Sequence, residues 1–277
     1  MTFLTGFLVA QADTLSKLSN EAPRENDNWI IEHISDHKLL EIPPFHIGGL
    51  TVDLSITVNV LMMLIVASLL VLILVYAASA NSRRKYPKGL GNFIELVVLF
   101  VKDDIILPSM GKIGLQFLPF FLTMFFFILM MNFFGLIPFM HTATGNINVT
   151  ATLALVTFFM MQFHGIKKNG FAGYFKGLIP PGVPVFVLPI MAIIEFLGLL
   201  TRPFALAIRL FANMTAGHIV ILAFISLIFT LGYVIVPVSI GFSLFIYLLE
   251  ILVALLQAYI FTMLSALFIG MSIEQEH

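Results

Sequence analysis

The chain has no cysteine, a single tryptophan and little charge. Without cysteine there is no disulfide framework and no thiolate metal site. Asp, Glu, Lys and Arg make up 10% of the 277 residues, against about 25% in an ordinary soluble domain. The formal net charge is −1, and no basic arm or zinc-knuckle spacing occurs, so composition excludes an obvious nucleic-acid partner. No phosphate-cradling loop of the form G-x-x-x-x-G-K-[ST] is present either. Gly111-Lys112 is followed by Ile113, so the chain is not expected to bind nucleotide itself. No cofactor or metal is expected.

What the chain has is apolar length, with 60% hydrophobic residues. No acidic or basic residue occurs between Lys112 and Lys167, which leaves room for two crossings of about 20 residues each. The expected fold is an all-α polytopic membrane protein. About five membrane-embedded helices are joined by one inner-surface helix, and the chain ends in a long tilted helical hairpin. Residues 1–50 are expected to form an external N-terminal segment, and residues 51–277 the membrane domain.

Residues 1–12 form a short apolar run ending in A-Q-A, like the tail of a secretory signal but without a positive n-region. Residues 13–50 are polar and acidic. His33, His37 and His46 match no metal-ligand spacing and read as solvated surface groups. A first span covers Leu54–Ala80, and Arg83, Arg84, Lys85 and Lys88 follow at once. That cluster marks the cytoplasmic side and puts the N-terminus outside. Residues 90–107 are interrupted by Glu95, Lys102, Asp103 and Asp104. They read better as a helix at the inner surface, or packed on other helices, than as a span, with Pro108 as its end.

Ile113–Met140 and Asn146–Gly165 then form a hairpin across the short uncharged loop H-T-A-T-G. Asn132 near its outer end reads as an interhelical hydrogen-bonding residue or, less simply, as a channel-lining one. Lys167, Lys168 and Lys176 mark a cytoplasmic loop. Val185–Thr230 is a 46-residue apolar run, too long for one upright crossing. Two crossings would need a turn at Thr201-Arg202-Pro203 with no polar linker, so one inclined helix fits better. Gly232 and Pro237 make an outer turn, and Val238–Met271 returns inward to a cytoplasmic tail.

Within these last two helices the acids, arginines and histidine are few: Glu195, Arg202, Arg209, His218 and Glu250. Arg209 cannot shed its proton, and a charge at lipid depth costs about 2.5–3.5 kcal/mol on insertion scales. Such a residue is by default a functional one. Along a helix, Arg209 lies about 21 Å from Glu195 and about 13.5 Å from His218. His218 stands nine residues after Arg209, and Glu250 seven before Gln257. An antiparallel hairpin that sets Gln257 beside Arg209 therefore sets Glu250 beside His218 to within about 3 Å of rise. Either residue of the second pair alone reads as a satisfied core group. At one depth, a carboxylate and an imidazole exchange protons near neutral pH. Asn213 and Gln257 read as interhelical glue or as restraints on the guanidinium. Arg202 is placed to reach the inner interface with its long stem. A fixed cation at mid-depth repels protons and blocks a continuous water wire, so the layout suggests two half-length inlets and requires a moving partner with its own acid.

R-L-F-A-N-M-T-A-G-H (209–218), L-L-Q-A-Y-I-F (255–261), M-N-F-F-G-L-I-P (131–138) and the C-terminal helix pair resemble subunit a of the F-type ATP synthase. The likeness is specific in the last two helices and topological over roughly residues 50–271. It implies a stator in a bacterial inner membrane beside a rotating ring of subunit c, with the peripheral-stalk subunit b as a further partner. Protons would load onto ring carboxylates from one half-channel and leave by the other. By position, Arg209 matches the family's arginine between the half-channels, and Asn213 and Gln257 match its polar neighbours. His218 and Glu250 match the outer pair, and Glu195 a polar position of the inner channel. Two departures stand out. Many bacterial members carry the acid where His218 stands and the histidine where Glu250 stands, and some have Asp where Gly135 stands.

A secondary transporter with an intramembrane Arg–Glu switch would show inverted repeats, and none is apparent. A purely structural scaffold would have little reason to hold Arg209 and Glu250 at lipid depth.

Overall fold

The computed structural model describes residues 38–40, 45–47, 50–52, 55–82, 89–137, 142–177 and 186–273. The signal-like run 1–12, His33, His37, the basic cluster 83–88, Pro138, His141 and the tail from Glu274 lie outside them. Ahead of the helices come two small antiparallel pairs. β1 (Lys38–Leu40) pairs with β4 (Ile56–Thr57), and β2 (Phe45–Ile47) pairs with β3 (Leu50–Val52). Neither was expected from a polar segment of mixed composition.

Nearly all the described residues beyond them are helical, in keeping with an all-α polytopic membrane protein, and five helical stretches are long and apolar enough to cross a membrane. The first is α1 (Val58–Ser82). Next, α2 (Leu90–Phe100) runs through a π-helical turn at Val101–Ile106 into α3 (Leu107–Met110). The wider turn buries Val101, Ile105 and Ile106 while leaving Asp103 and Asp104 exposed. Here one expectation fails. Pro108 does not end this helix, which continues through it to Met110. The break comes at Gly111, whose φ of 59 suits only glycine.

A 3-10 segment, Gly111–Phe117, leads into α4 (Leu118–Leu136). A short turn at Ala143–Gly145 connects to α5 (Ile147–Asn169), whose last turn carries Lys167 and Lys168 where the helix dipole favours cations. A short helix, α6 (Phe171–Gly177), follows.

The run that had two readings is one helix. α7 (Leu188–Leu231) spans 44 residues with Pro203 inside it, which at about 1.5 Å per residue is about 66 Å. A hydrocarbon core of about 30 Å cannot hold that length upright. Pro203 removes one backbone donor, yet the buried positions Leu199, Leu206 and Leu210 continue on both sides of it. Packing along that stripe therefore outweighs the lost bond. Gly232, with φ 76, stops the helix, and α8 (Val236–Ile273) returns over 38 residues.

α8 packs against α4, α5 and α7. Its inner face is small or weakly polar: Ala254, Ala258, Thr262, Ser265, Ala266, Gly270 and Ser272 are all buried. Small side chains let helix backbones approach where lipid gives no hydrophobic drive to associate. Hydrogen bonds then join the helices. Ser272 Oγ donates to the Met161 carbonyl at 2.9 Å, Asn169 Nδ2 to the Ser272 carbonyl at 3.1 Å, and Asn132 Nδ2 to the Ala254 carbonyl at 3.3 Å. Asn132 is thus an interhelical donor.

The closest backbone approach is at Gly270, where an added Cβ would stand 2.8 Å from the carbonyl oxygen of Ser109. A backbone atom cannot yield cheaply, so Gly270→Ala should destabilise the fold by about 1–3 kcal/mol. Gly241, in the same helix with nothing within 4 Å, should tolerate Gly241→Ala or gain from it. Thermal unfolding of the two variants in detergent checks this, and equal melting temperatures would contradict it.

Candidate functional site

The site is set by how α7 and α8 lie on each other. The Arg202 guanidinium sits over the Phe268 ring at 5.5 Å. Eleven residues further along α7 and eleven back along α8, Asn213 Nδ2 donates to Gln257 Oε1 at 2.9 Å. Five on and seven back, His218 Nδ1 faces Glu250 Oε1 at 3.8 Å. Six on and eight back, the rings of Phe224 and Phe242 stack at 5.5 Å. The four contacts run antiparallel, with the offset drifting by four residues from the first to the last.

That register brings His218 and Glu250 together. Gln257 meets Asn213, one turn (about 6 Å) further along α7, and the residue level with Arg209 is the fully buried Phe261. The Asn213 hydrogen bond holds Gln257 at that level. Among the described residues no carboxylate lies within ion-pairing reach of Arg209, and the residue is half-buried.

On a helical wheel Glu195, Arg202, Arg209 and Asn213 fall within about 40° of one another, whereas His218 lies about 180° from Arg209. The buried stripe of Leu199, Leu206, Leu210 and Met214 runs between the two flanks. Arg209 therefore stands at the border of that stripe and an exposed one carrying Ala205, Ala212 and Ala216. Glu195, half-buried, lies on the same flank about 21 Å away. In α6, burial pushes the Tyr174 hydroxyl above its ordinary value of 10.0, an effect that Arg202 partly opposes. Tyr174 is therefore neutral at physiological pH.

Glu250 is buried, 7% exposed, and neither of its oxygens accepts a hydrogen bond from a described residue. A carboxylate in that setting is costly unless it shares charge or a proton with a neighbour. Its neighbour is His218, whose Nε2 lies 2.9 Å from Thr142 Oγ1 in the loop after α4. Thr215 Oγ1 donates to the Gly145 carbonyl at 3.4 Å and ties the same loop to α7. Gly217 gives the acid its space, because an added Cβ there would overlap the Glu250 carboxylate. Gly217 and Thr142 were not singled out from sequence. Gly217 adjoins His218 in the stretch already noted, whereas nothing in the spacing of H-T-A-T-G marks its first threonine. Gly135 has no room for the Asp found in some proteins of the resembled family, since a Cβ would stand 2.8 Å from Thr142 Cγ2. Among the described residues no cluster of three or more metal-ligating side chains occurs.

Known proteins are similar to the chain over most of its length. Residues 60–270 match the family model described as ATP synthase A chain. The ATP synthase subunit a of Chloroherpeton thalassium is 49% identical over 242 residues, covering 86% of this chain and 72% of that protein. The subunit a of Myxococcus xanthus is 49% identical over 240 residues, covering 86% and 78%. The subunit a 2 of Chlorobaculum tepidum is 47% identical over 277 residues, covering 96% and 78%.

Because the chain lacks cysteine, the register can be read by introduced pairs. Asn213→Cys with Gln257→Cys should form a disulfide readily under mild oxidation. Arg209→Cys with Gln257→Cys should crosslink poorly, as seen by protease fragments on non-reducing gels. The reverse order of yields would contradict the register.

Proposed function

The chain belongs to the ATP synthase A chain family, and on that premise we propose that it is the proton-conducting stator of a rotary F-type ATP synthase. It works in a bacterial inner membrane beside a ring of subunit c and in contact with the peripheral-stalk subunit b. In this reading residues 1–50 lie outside, residues 51–277 form the membrane channel domain, and the C-terminus is cytoplasmic. The chain does no nucleotide chemistry. It supplies two offset half-channels that load and unload the ring carboxylates, so that proton flow turns the ring and drives ATP synthesis elsewhere in the complex.

The observation that carries the reading is the position of Arg209. It is a permanent cation without an acidic partner among the described residues, at the edge of an exposed stripe of small residues on a helix too long to stand upright. Small side chains permit close approach by another helix. A ring carboxylate arriving at about 4 Å from the guanidinium would gain about 4 kcal/mol at an effective dielectric near 20. That is equivalent to about three pKa units, enough to favour release of its proton. The same charge repels a hydronium and keeps the two inlets apart.

His218 and Glu250 serve the outer inlet, where a proton passes to the ring. On the Arg209 flank, Glu195 serves the inner outlet, and Asn213 with Gln257 restrains the helix pair beside the arginine. The buried stripe between the flanks separates the two routes. An acid and an imidazole 3.8 Å apart can pass a proton between them, whichever helix carries which group. The exchange of the two residue types relative to many bacterial relatives is thus chemically tolerable.

Arg209→Ala in the assembled complex should lower coupled ATP synthesis at least about a hundredfold, in proportion to the electrostatic term it removes, and open a passive proton leak. Coupled synthesis at the normal rate, measured in vesicles with a respiratory or imposed gradient, would contradict the proposal.

A further inference from the structure

His218 touches the protein through both ring nitrogens, and the two contacts differ. Nδ1 faces Glu250 Oε1 at 3.8 Å, within ion-pairing range but beyond a hydrogen bond. Nε2 makes the close contact, 2.9 Å from Thr142 Oγ1. That hydroxyl also lies 3.3 Å from the carbonyl oxygen of Gly135, in the last turn of α4. Carbonyls there have no amide of their own helix to accept from. A threonine hydroxyl has one proton to donate and lone pairs to accept with. Donating to the Gly135 carbonyl, it presents a lone pair to Nε2 and so requires a proton there.

From this geometry we infer that Thr142 is a positioning residue for the proposed proton step, holding His218 with its Nε2 proton fixed toward the loop so that Nδ1 alone takes and gives the proton shared with Glu250. The inference rests on the stator reading above. The step is a proton transfer without redox change. The imidazolium Nδ1–H bond breaks, an O–H bond forms on the Glu250 carboxylate, and the products are a neutral imidazole retaining Nε2–H and a neutral carboxylic acid. Glu250 on α8 is the one acidic side chain among the described residues within ion-pairing reach of the ring. From α4 and its loop the ring meets the Thr142 hydroxyl, which is uncharged and does not titrate in the working range.

Two glycines make the arrangement possible. A Cβ at Gly135 would stand 2.8 Å from Thr142 Cγ2 and 3.2 Å from its hydroxyl, and a Cβ at Gly217 would overlap the Glu250 carboxylate. Without the threonine hydroxyl, either nitrogen can carry the neutral ring's proton and the imidazole can turn. The titrating atom then faces Glu250 only part of the time.

The test uses the assembled complex in inverted membrane vesicles, with ATP-driven proton pumping followed against pH. Thr142→Val keeps the shape and removes the hydroxyl, Thr142→Ala removes both, and Thr142→Ser keeps the hydroxyl. The Val and Ala variants should each lose about tenfold in pumping, the factor one hydrogen bond's net contribution supports, and should shift the pH midpoint. Thr142→Ser should stay within about twofold of the parent, with the parent's midpoint. Equal loss in Ser and Val, or normal pumping with an unmoved midpoint in Val and Ala, overturns the inference. Arg209→Ala in the same vesicles separates the two ideas. If it is inactive while the Thr142 variants behave like the parent, only the threonine assignment fails. If it pumps normally, the stator reading fails and takes this inference with it.

Discussion

The antiparallel register of α7 on α8 is the constraint from which the site's geometry follows. Helices this apolar gain nothing from leaving lipid, so their alignment must come from close packing and a few polar contacts. Buried Ala254, Ala258 and Ala266 let the backbones approach. The contacts at Arg202–Phe268, Asn213–Gln257 and His218–Glu250 then lock one offset out of many. A slip of one turn would move Glu250 about 6 Å along the axis and away from the gap that Gly217 provides. The acid would be left buried beside hydrocarbon, which is the most costly outcome available to it. Register and chemistry are therefore enforced by the same residues.

Around that pair the molecule keeps two kinds of charge apart. His218 and Glu250 can gain or lose a proton, and they lie on one flank of α7 behind its packed stripe. Arg209 cannot lose one, and it lies on the other flank beside open, small side chains. In the proposed function this difference does the work. The titratable pair can pass a proton on, the permanent cation can only repel one or attract a carboxylate, and the apolar stripe keeps the two from short-circuiting.

Much of this was legible in the residues, and the exceptions have physical causes. The long α7 could be read because Thr201-Arg202-Pro203 offers no polar linker for a turn, and a lone proline does not outweigh a continuous apolar stripe. The pairing of His218 with Glu250 could be read because helical rise is regular enough to carry a register across 33 residues of hairpin. The hydrogen bond from Asn213 to Gln257 was not read, because a one-turn offset lies within the tolerance of that same arithmetic. Pro108 misled because the helix continues through it to Met110, and the glycine that ends the helix is three residues on. Thr142 and the short strand pairs before α1 were invisible for another reason. Their roles depend on which distant residue arrives beside them, and neither composition nor periodicity records that.

The separation of the two flanks can be measured directly in a chain that has no cysteine of its own. In assembled complexes held in sealed vesicles of either orientation, His218→Cys and Glu195→Cys are challenged with a small, membrane-impermeant thiol reagent. The proposed arrangement predicts that His218→Cys reacts only from the outer side and Glu195→Cys only from the cytoplasmic side. Reaction of either cysteine at comparable rates from both sides would mean one continuous water path past Arg209, and would contradict it.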